Sequence, residues 1–192
     1  MKKKEVTYKA VISVTLTALV AGFLLSFVYS SFEKDILANN EKTVLNGVKA
    51  VIPNADNIEG PLSDENAAYP YYIGKKADGS VAGYAILSSA GGYNGQNKVL
   101  VGFSDDATTI TGIVVTEQAE TPGLGAKIVE PSFRNQFTSK SSIVPLTVVK
   151  GIKPEEALDA QIAAISGATI SSTSVVTAVN SANEQAVNLF LQ

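Results

Sequence analysis

Six hydroxyl side chains crowd nine positions near the C-terminal end of the chain: Ser166, Thr169, Ser171, Ser172, Thr173 and Ser174. Gly167 and Ala168 lie among them. An apolar series at helical spacing follows at once: Val175, Val179, Ala182, Ala186 and Phe190. A helix of about five turns therefore begins in or just after this cluster. The first turn of a helix has N–H groups without intrahelical partners and carries the positive end of the helix dipole, so it attracts oxyanions, phosphate above all. The plainer reading is a turn at Gly167 with Thr169, Ser171 or Ser172 as N-cap. One cap uses one hydroxyl, and the surplus points to a phosphate-bearing ligand.

A second stretch, Glu117-Gln118-Ala119-Glu120-Thr121-Pro122-Gly123-Leu124-Gly125-Ala126-Lys127-Ile128, directly follows the strongest strand pattern. Pro122-Gly123 forms turns readily, and a surface turn is the plain reading. Leu124 between two glycines is a poor solvent-facing choice and a good one against a flat apolar ligand. A third stretch, Ala90-Gly91-Gly92-Tyr93-Asn94-Gly95, reads as a Gly-rich turn with one aromatic.

The rest of the composition narrows the chemistry. The 192 residues contain no Cys and no His. Disulfides, thiolate or imidazole metal sites, Cys nucleophiles and His general bases are all excluded. No metal site and no catalytic residue of the chain's own is expected. Hydroxyls, carboxylates, Lys, one Arg or a borrowed cofactor must supply any activity. A net charge of −3 argues against nucleic acid as a partner.

Ala10 to Phe32 is an uncharged run of 23 residues. As a helix it reaches ~34 Å, enough to cross the ~30 Å hydrocarbon layer. The hydroxyls within it, Thr15, Thr17 and Ser26, can bond back to helix carbonyls. Lys2, Lys3, Lys4 and Lys9 precede the run, whereas Glu33, Lys34 and Asp35 follow it. The Lys bias predicts residues 1–9 in the cytoplasm, a span over 10–32, and the remainder outside. The run is longer than a signal-peptide core and lacks an A-x-A site, so a retained single-pass anchor is expected over a cleaved leader. The 160 residues after the span hold 11 basic and 17 acidic groups, a net of −6, so the outer part is acidic.

Residues 33–69 read as a tether. A helix, interrupted near Asn39-Asn40, runs to Pro53, and a loop rich in Pro, Asn, Asp and Gly covers 53–70. Strands are predicted over 71–73, 80–87, 98–103, 108–116 and 146–149, with a turn at Asp78-Gly79. The first four suggest an antiparallel meander. With the closing helix, the outer domain is α+β, its sheet antiparallel or mixed.

Ser166-Gly167-Ala168-Thr169, followed by Ser171-Ser172, resembles the flavinylation motif of the FMN-binding family found in Rnf and Na⁺-NQR respiratory complexes. Glu120-Thr121-Pro122-Gly123-Leu124-Gly125 resembles a second signature of that family, and residues 89–103 with Gly91-Gly92-Tyr93 are similar as well. The single N-terminal span and outer domain resemble the layout of the RnfG/NqrC family. Members often carry a His two positions before the Glu, where Gln118 stands here.

The resemblance implies FMN joined through its phosphate to Thr169 by a separate flavin transferase that uses FAD as donor. It places Tyr93, Glu120, Thr121, Gly123, Leu124, Gly125, Ser166, Gly167, Ala168, Ser171 and Ser172 near the flavin, in a domain spanning 70–192. It implies an electron relay at the cell (inner) membrane, among the other subunits of an ion-translocating ferredoxin:NAD oxidoreductase. Enzymatic activity would then belong to the complex. An NqrC-like protein, another flavinylated outer domain, or a membrane-anchored scaffold without cofactor are the alternatives.

Overall fold

The computed structural model describes residues 8–191. Its first helix, α1, is Tyr8–Val51. Within it, Tyr8–Glu33 is 26 residues long and apolar enough to cross a membrane. The Thr17 hydroxyl donates to Ser13 O at 2.8 Å and the Ser31 hydroxyl to Phe27 O at 2.8 Å, so these groups satisfy themselves within the helix. Lys2, Lys3 and Lys4, which carry most of the orientation signal, lie outside the described residues. The interruption expected at Asn39-Asn40 is absent. Residues 23–46 contain neither Gly nor Pro, and an Asn costs a helix only several tenths of a kcal/mol, ~0.7 at most.

The chain divides into two compact units, the second beginning at Thr43. That second unit is built on a five-stranded antiparallel meander in the order β1-β2-β3-β4-β5. The strands are β1 (Asn57–Leu62), β2 (Tyr71–Lys75), β3 (Val81–Gly91), β4 (Gln96–Phe103) and β5 (Ile110–Glu117). The four strands predicted for the meander are therefore present, as β2 to β5. β1 is an addition inside the expected loop. It is a largely exposed edge strand whose register shifts between Glu59 and Leu62, across Gly60-Pro61. A Pro there gives up a ladder donor, which an edge tolerates. Short helical turns then cover Gly125–Val129, Pro131–Arg134 (α2) and Asn135–Phe137. β6 (Thr147–Val149) pairs in parallel with β7 (Gln161–Ala163), a strand not predicted from the sequence. The closing helix, α3, is Thr169–Phe190.

Alternation along the strands makes two cores. Ile86, Val99, Val101, Phe103 and Ile113 face Val175, Val179, Ala182 and Ala186 of α3. The intervening Ala85 and Leu100 face Val48, Val51 and Ile52 at the end of α1. Burying a Val or Ile side chain contributes about 1.5–3 kcal/mol, so the α3 face dominates the stability of the unit. Its polar side chains add backbone clamps. Asn180 accepts from Leu146 N–H and donates to Leu146 O, both at 2.9 Å. Gln185 does the same for Tyr69, at 2.8 and 2.9 Å. Ser88 donates to Ala178 O at 2.8 Å. The sheet and these clamps fix α3 lengthwise, and with it the position of Thr169.

Candidate functional site

Three chain segments converge where α3 begins. The β3–β4 hairpin closes through Gly92 N–H to Gly95 O at 2.7 Å and presents Tyr93. The loop after β5 supplies Glu120 to Gly125. The β7–α3 connection supplies Gly167 and Ala168. Together they enclose an open cavity of about 520 Å³ lined by Tyr93, Glu120, Thr121, Leu124, Gly125, Gly167, Ala168, Thr169, Ile170 and Ser171. That volume lies within the ordinary range for small-molecule sites, ~300–1,000 Å³.

Glu120 joins the segments. It is 5% exposed. Its Oε1 accepts from Tyr93 N–H at 2.9 Å and from Asn97 Nδ2 at 3.1 Å, and its Oε2 accepts from the Ser171 hydroxyl at 2.9 Å. Gly92 and Gly125 make room, because a Cβ on either would collide with a carboxylate oxygen. Gln118 accepts from Glu120 N–H at 2.6 Å and shapes the loop.

The hydroxyl cluster divides by direction. Ser171 binds Glu120. Ser172 accepts from Ile165 N–H and donates to Ala168 O, both at 3.0 Å, so it braces the turn from inside. Ser174 donates to Ala90 O at 3.2 Å. None of them caps the helix. The N-cap is Ala168, with no side-chain cap bond, which corrects the plain expectation of Thr169, Ser171 or Ser172 in that role. The first intrahelical bond is Ser172 N–H to Ala168 O at 3.0 Å. The N–H groups of Thr169, Ile170 and Ser171 therefore stand ahead of the hydrogen-bond ladder, beside the half-buried Thr169 side chain.

Of the residues named from sequence, Ser166, Gly123 and Ser172 do not line the cavity. Ser166 is exposed and Ser172 is buried behind the turn. Gly123 occupies the turn itself at φ +75°, where it permits the reversal that presents Leu124. Two contributors were missed. Ile170 lines the cavity while 55% exposed, and Asn97 is fully buried and orients Glu120. An apolar residue stranded among hydroxyls is a signal for Ile170. Asn97 at the start of a β-branched run offers none.

The apolar wall of Leu124, Ile170 and Tyr93, a helix start free of side-chain caps, and a Thr hydroxyl at that start fit an aromatic ring carrying a phosphate. Residues 92–184 match the FMN-binding domain family. Over 184 residues the chain is 33% identical to the G component of the ion-translocating oxidoreductase complex of Methanosarcina acetivorans, covering 93% of each.

The chain belongs to the RnfG/NqrC family.

The G component of the Na⁺-translocating ferredoxin:NAD⁺ oxidoreductase complex of Acetobacterium woodii is 44% identical over 110 residues, 57% of this chain and 51% of that one. The fold is that of the solved C component of the Na⁺-translocating NADH-quinone reductase from Parabacteroides distasonis. The TM-score is 0.58 at 22% identity, over 83% of this chain and 96% of that one. In this RnfG/NqrC family member, every residue that lines the cavity falls inside the matched FMN-binding region.

Proposed function

We propose that this RnfG/NqrC family member is a membrane-anchored flavoprotein that carries FMN as a phosphoester on Thr169 and relays electrons within an Rnf-type ion-translocating ferredoxin:NAD oxidoreductase. The observation that carries this is the half-buried Thr169 hydroxyl, set at an uncapped helix N-terminus on the wall of an apolar cavity, inside an FMN-binding domain. FMN supplies one- and two-electron chemistry that no side chain here can perform. The chain contributes position and environment. The N–H groups of Thr169, Ile170 and Ser171 would hold the phosphate, Leu124 and Ile170 would supply apolar contact to the ring, and Tyr93 would add an aromatic side chain to the same wall. Thr169 is an acceptor rather than a nucleophile activated by this chain, so attachment is assigned to a separate flavin transferase with FAD as donor. The span in α1 holds the domain at the membrane, N-terminus in the cytoplasm and domain outside.

The chain produced with a transferase should run as a fluorescent band on a denaturing gel and gain the mass of FMN less one water. Thr169→Ala should lose both while its melting temperature moves by less than ~2 °C, since the Thr169 side chain makes no hydrogen bond among the described residues. A fluorescent band retained on Thr169→Ala refutes the attachment site, and a wild-type chain without flavin refutes the reading as a whole.

A further inference from the structure

The cavity wall holds one charged side chain, Glu120, and no Lys or Arg. The ion pairs among the described residues are Lys75–Glu59 and Lys98–Glu117, so Glu120 has no cationic partner among them. A buried carboxylate without a counter-charge is costly. Its hydrogen bonds explain its shape but not its charge. A Gln in the same rotamer would satisfy all three partners. Its oxygen would accept from Tyr93 N–H and Asn97 Nδ2, and its NH₂ would donate to a rotated Ser171 hydroxyl. What Gln cannot supply is a negative charge facing the cavity.

We infer that Glu120 makes the resident flavin harder to reduce, by fixing a negative charge on the wall of its cavity. This rests on the FMN reading above. Two-electron reduction takes two electrons from a donor and one proton from solvent, leaving the ring one negative charge richer. The positive end of the α3 dipole favours that charge, and Glu120 opposes it across a site shielded from bulk water on one side. Asn97 and Ser171 act through Glu120 as positioning residues.

The test is reductive titration of the flavin-loaded chain with dithionite against a reference dye. Glu120→Gln should shift the reduction equilibrium about tenfold toward the reduced form, ~30 mV for a two-electron couple. Glu130→Gln removes an exposed carboxylate that does not line the cavity, and should stay within about twofold of wild type. Melting of the unloaded Glu120→Gln chain should stay within ~4 °C of wild type, because the three contacts survive. Loaded Glu120→Gln with an unchanged equilibrium overturns this inference alone, as does an equal shift in Glu130→Gln. A Glu120→Gln chain that unfolds or stays unloaded assigns the carboxylate to folding or loading and also overturns it. Wild type that carries no flavin removes the function reading and this inference together.

Discussion

Gly123 and Gly125 flank Leu124 for opposite physical reasons, and two alanines separate them. Gly125 has a backbone that any residue can adopt, but no room. A Cβ there would lie 2.5 Å from Ser171 Oγ, 2.7 Å from Glu120 Oε2 and 3.0 Å from Glu120 Cβ. Tyr93 and Asn97 pin Glu120, so the methyl must displace Ser171 and break the Ser171–Glu120 bond. A hydrogen bond to a charged group is worth ~1.5–3 kcal/mol, and the remaining strain adds to it. The expected loss is ~2–3 kcal/mol, or roughly 5–10 °C in melting temperature for a domain of this size. Gly123 has open space, with nothing within 4 Å of its Cβ position, but a φ of +75°. Alanine there costs ~1 kcal/mol, about 2–4 °C, and Asn, which tolerates this region, should recover most of it. The assay is thermal melting of the unloaded chain in detergent, followed by the near-ultraviolet circular dichroism of its tyrosines. Gly125→Ala should also slow flavin attachment, because it moves the first turn of α3, whereas Gly123→Asn should not. A Gly125→Ala chain melting within ~2 °C of wild type, or one more stable than Gly123→Ala, refutes this account of the loop.

The other expectations are simpler. In a Thr169→Ala background, Leu124→Ser should weaken binding of free FMN by about five- to tenfold in an equilibrium titration, the loss of roughly 1 kcal/mol of apolar contact, with the melting temperature unmoved. Asn180→Ala leaves both polar groups of Leu146 without their partner and should cost ~1–3 kcal/mol by denaturant unfolding, with flavin attachment retained. Burial raises the Tyr84 pKa above its ordinary value of 10.0, with Asp105 adding to the effect. The folded state therefore holds that proton more tightly than the unfolded one. Its contribution is complete below pH 10.0 and is lost as pH rises through the folded value. Tyr84→Phe keeps the stack on Phe190 at 3.8 Å and should flatten the alkaline loss of stability measured by unfolding above about pH 10.

Periodicity made much of this architecture legible. Val99, Leu100 and Val101 alternate between two cores, and the four-, three- and four-residue steps from Val175 to Ala186 mark the buried face of α3. β1 and β7 escaped because neither has a pattern to read. β1 is exposed along most of its length, and β7 is three residues whose pairing with β6 is made by the fold. At the site, residue types announced the hydroxyl cluster and Leu124, and the family resemblance singled out Thr169, but neither disclosed the division of labour among the hydroxyls. Ser171, Ser172 and Ser174 looked like a surplus at one helix end. Each is in fact spent on a bond to a different segment, and that leaves the helix start itself uncapped.

The exposure of the cavity wall also bears on why an ester would be used at all. Tyr93, Leu124 and Ile170 are 70%, 48% and 55% exposed. Side chains this open lose only part of their accessible surface to a ligand, so they support modest noncovalent affinity. Deep burial would raise the affinity but would also wall the ring off from electron donors and acceptors. On the proposed phosphoester, a bond from Thr169 would separate the two demands. Retention would come from the covalent link, which would hold the ring at high effective concentration beside its cavity. Access would come from the shallow apolar wall. On the FMN reading, the same argument explains the structure's economy, because Thr169 anchors while Glu120, Leu124 and Ile170 only orient and tune. Deepening the cavity, for example with Ile170→Trp, should then tighten free FMN binding to the Thr169→Ala chain while slowing electron exchange of the loaded wild-type-Thr169 form with a soluble protein acceptor. Faster exchange in the deeper site would contradict this trade-off.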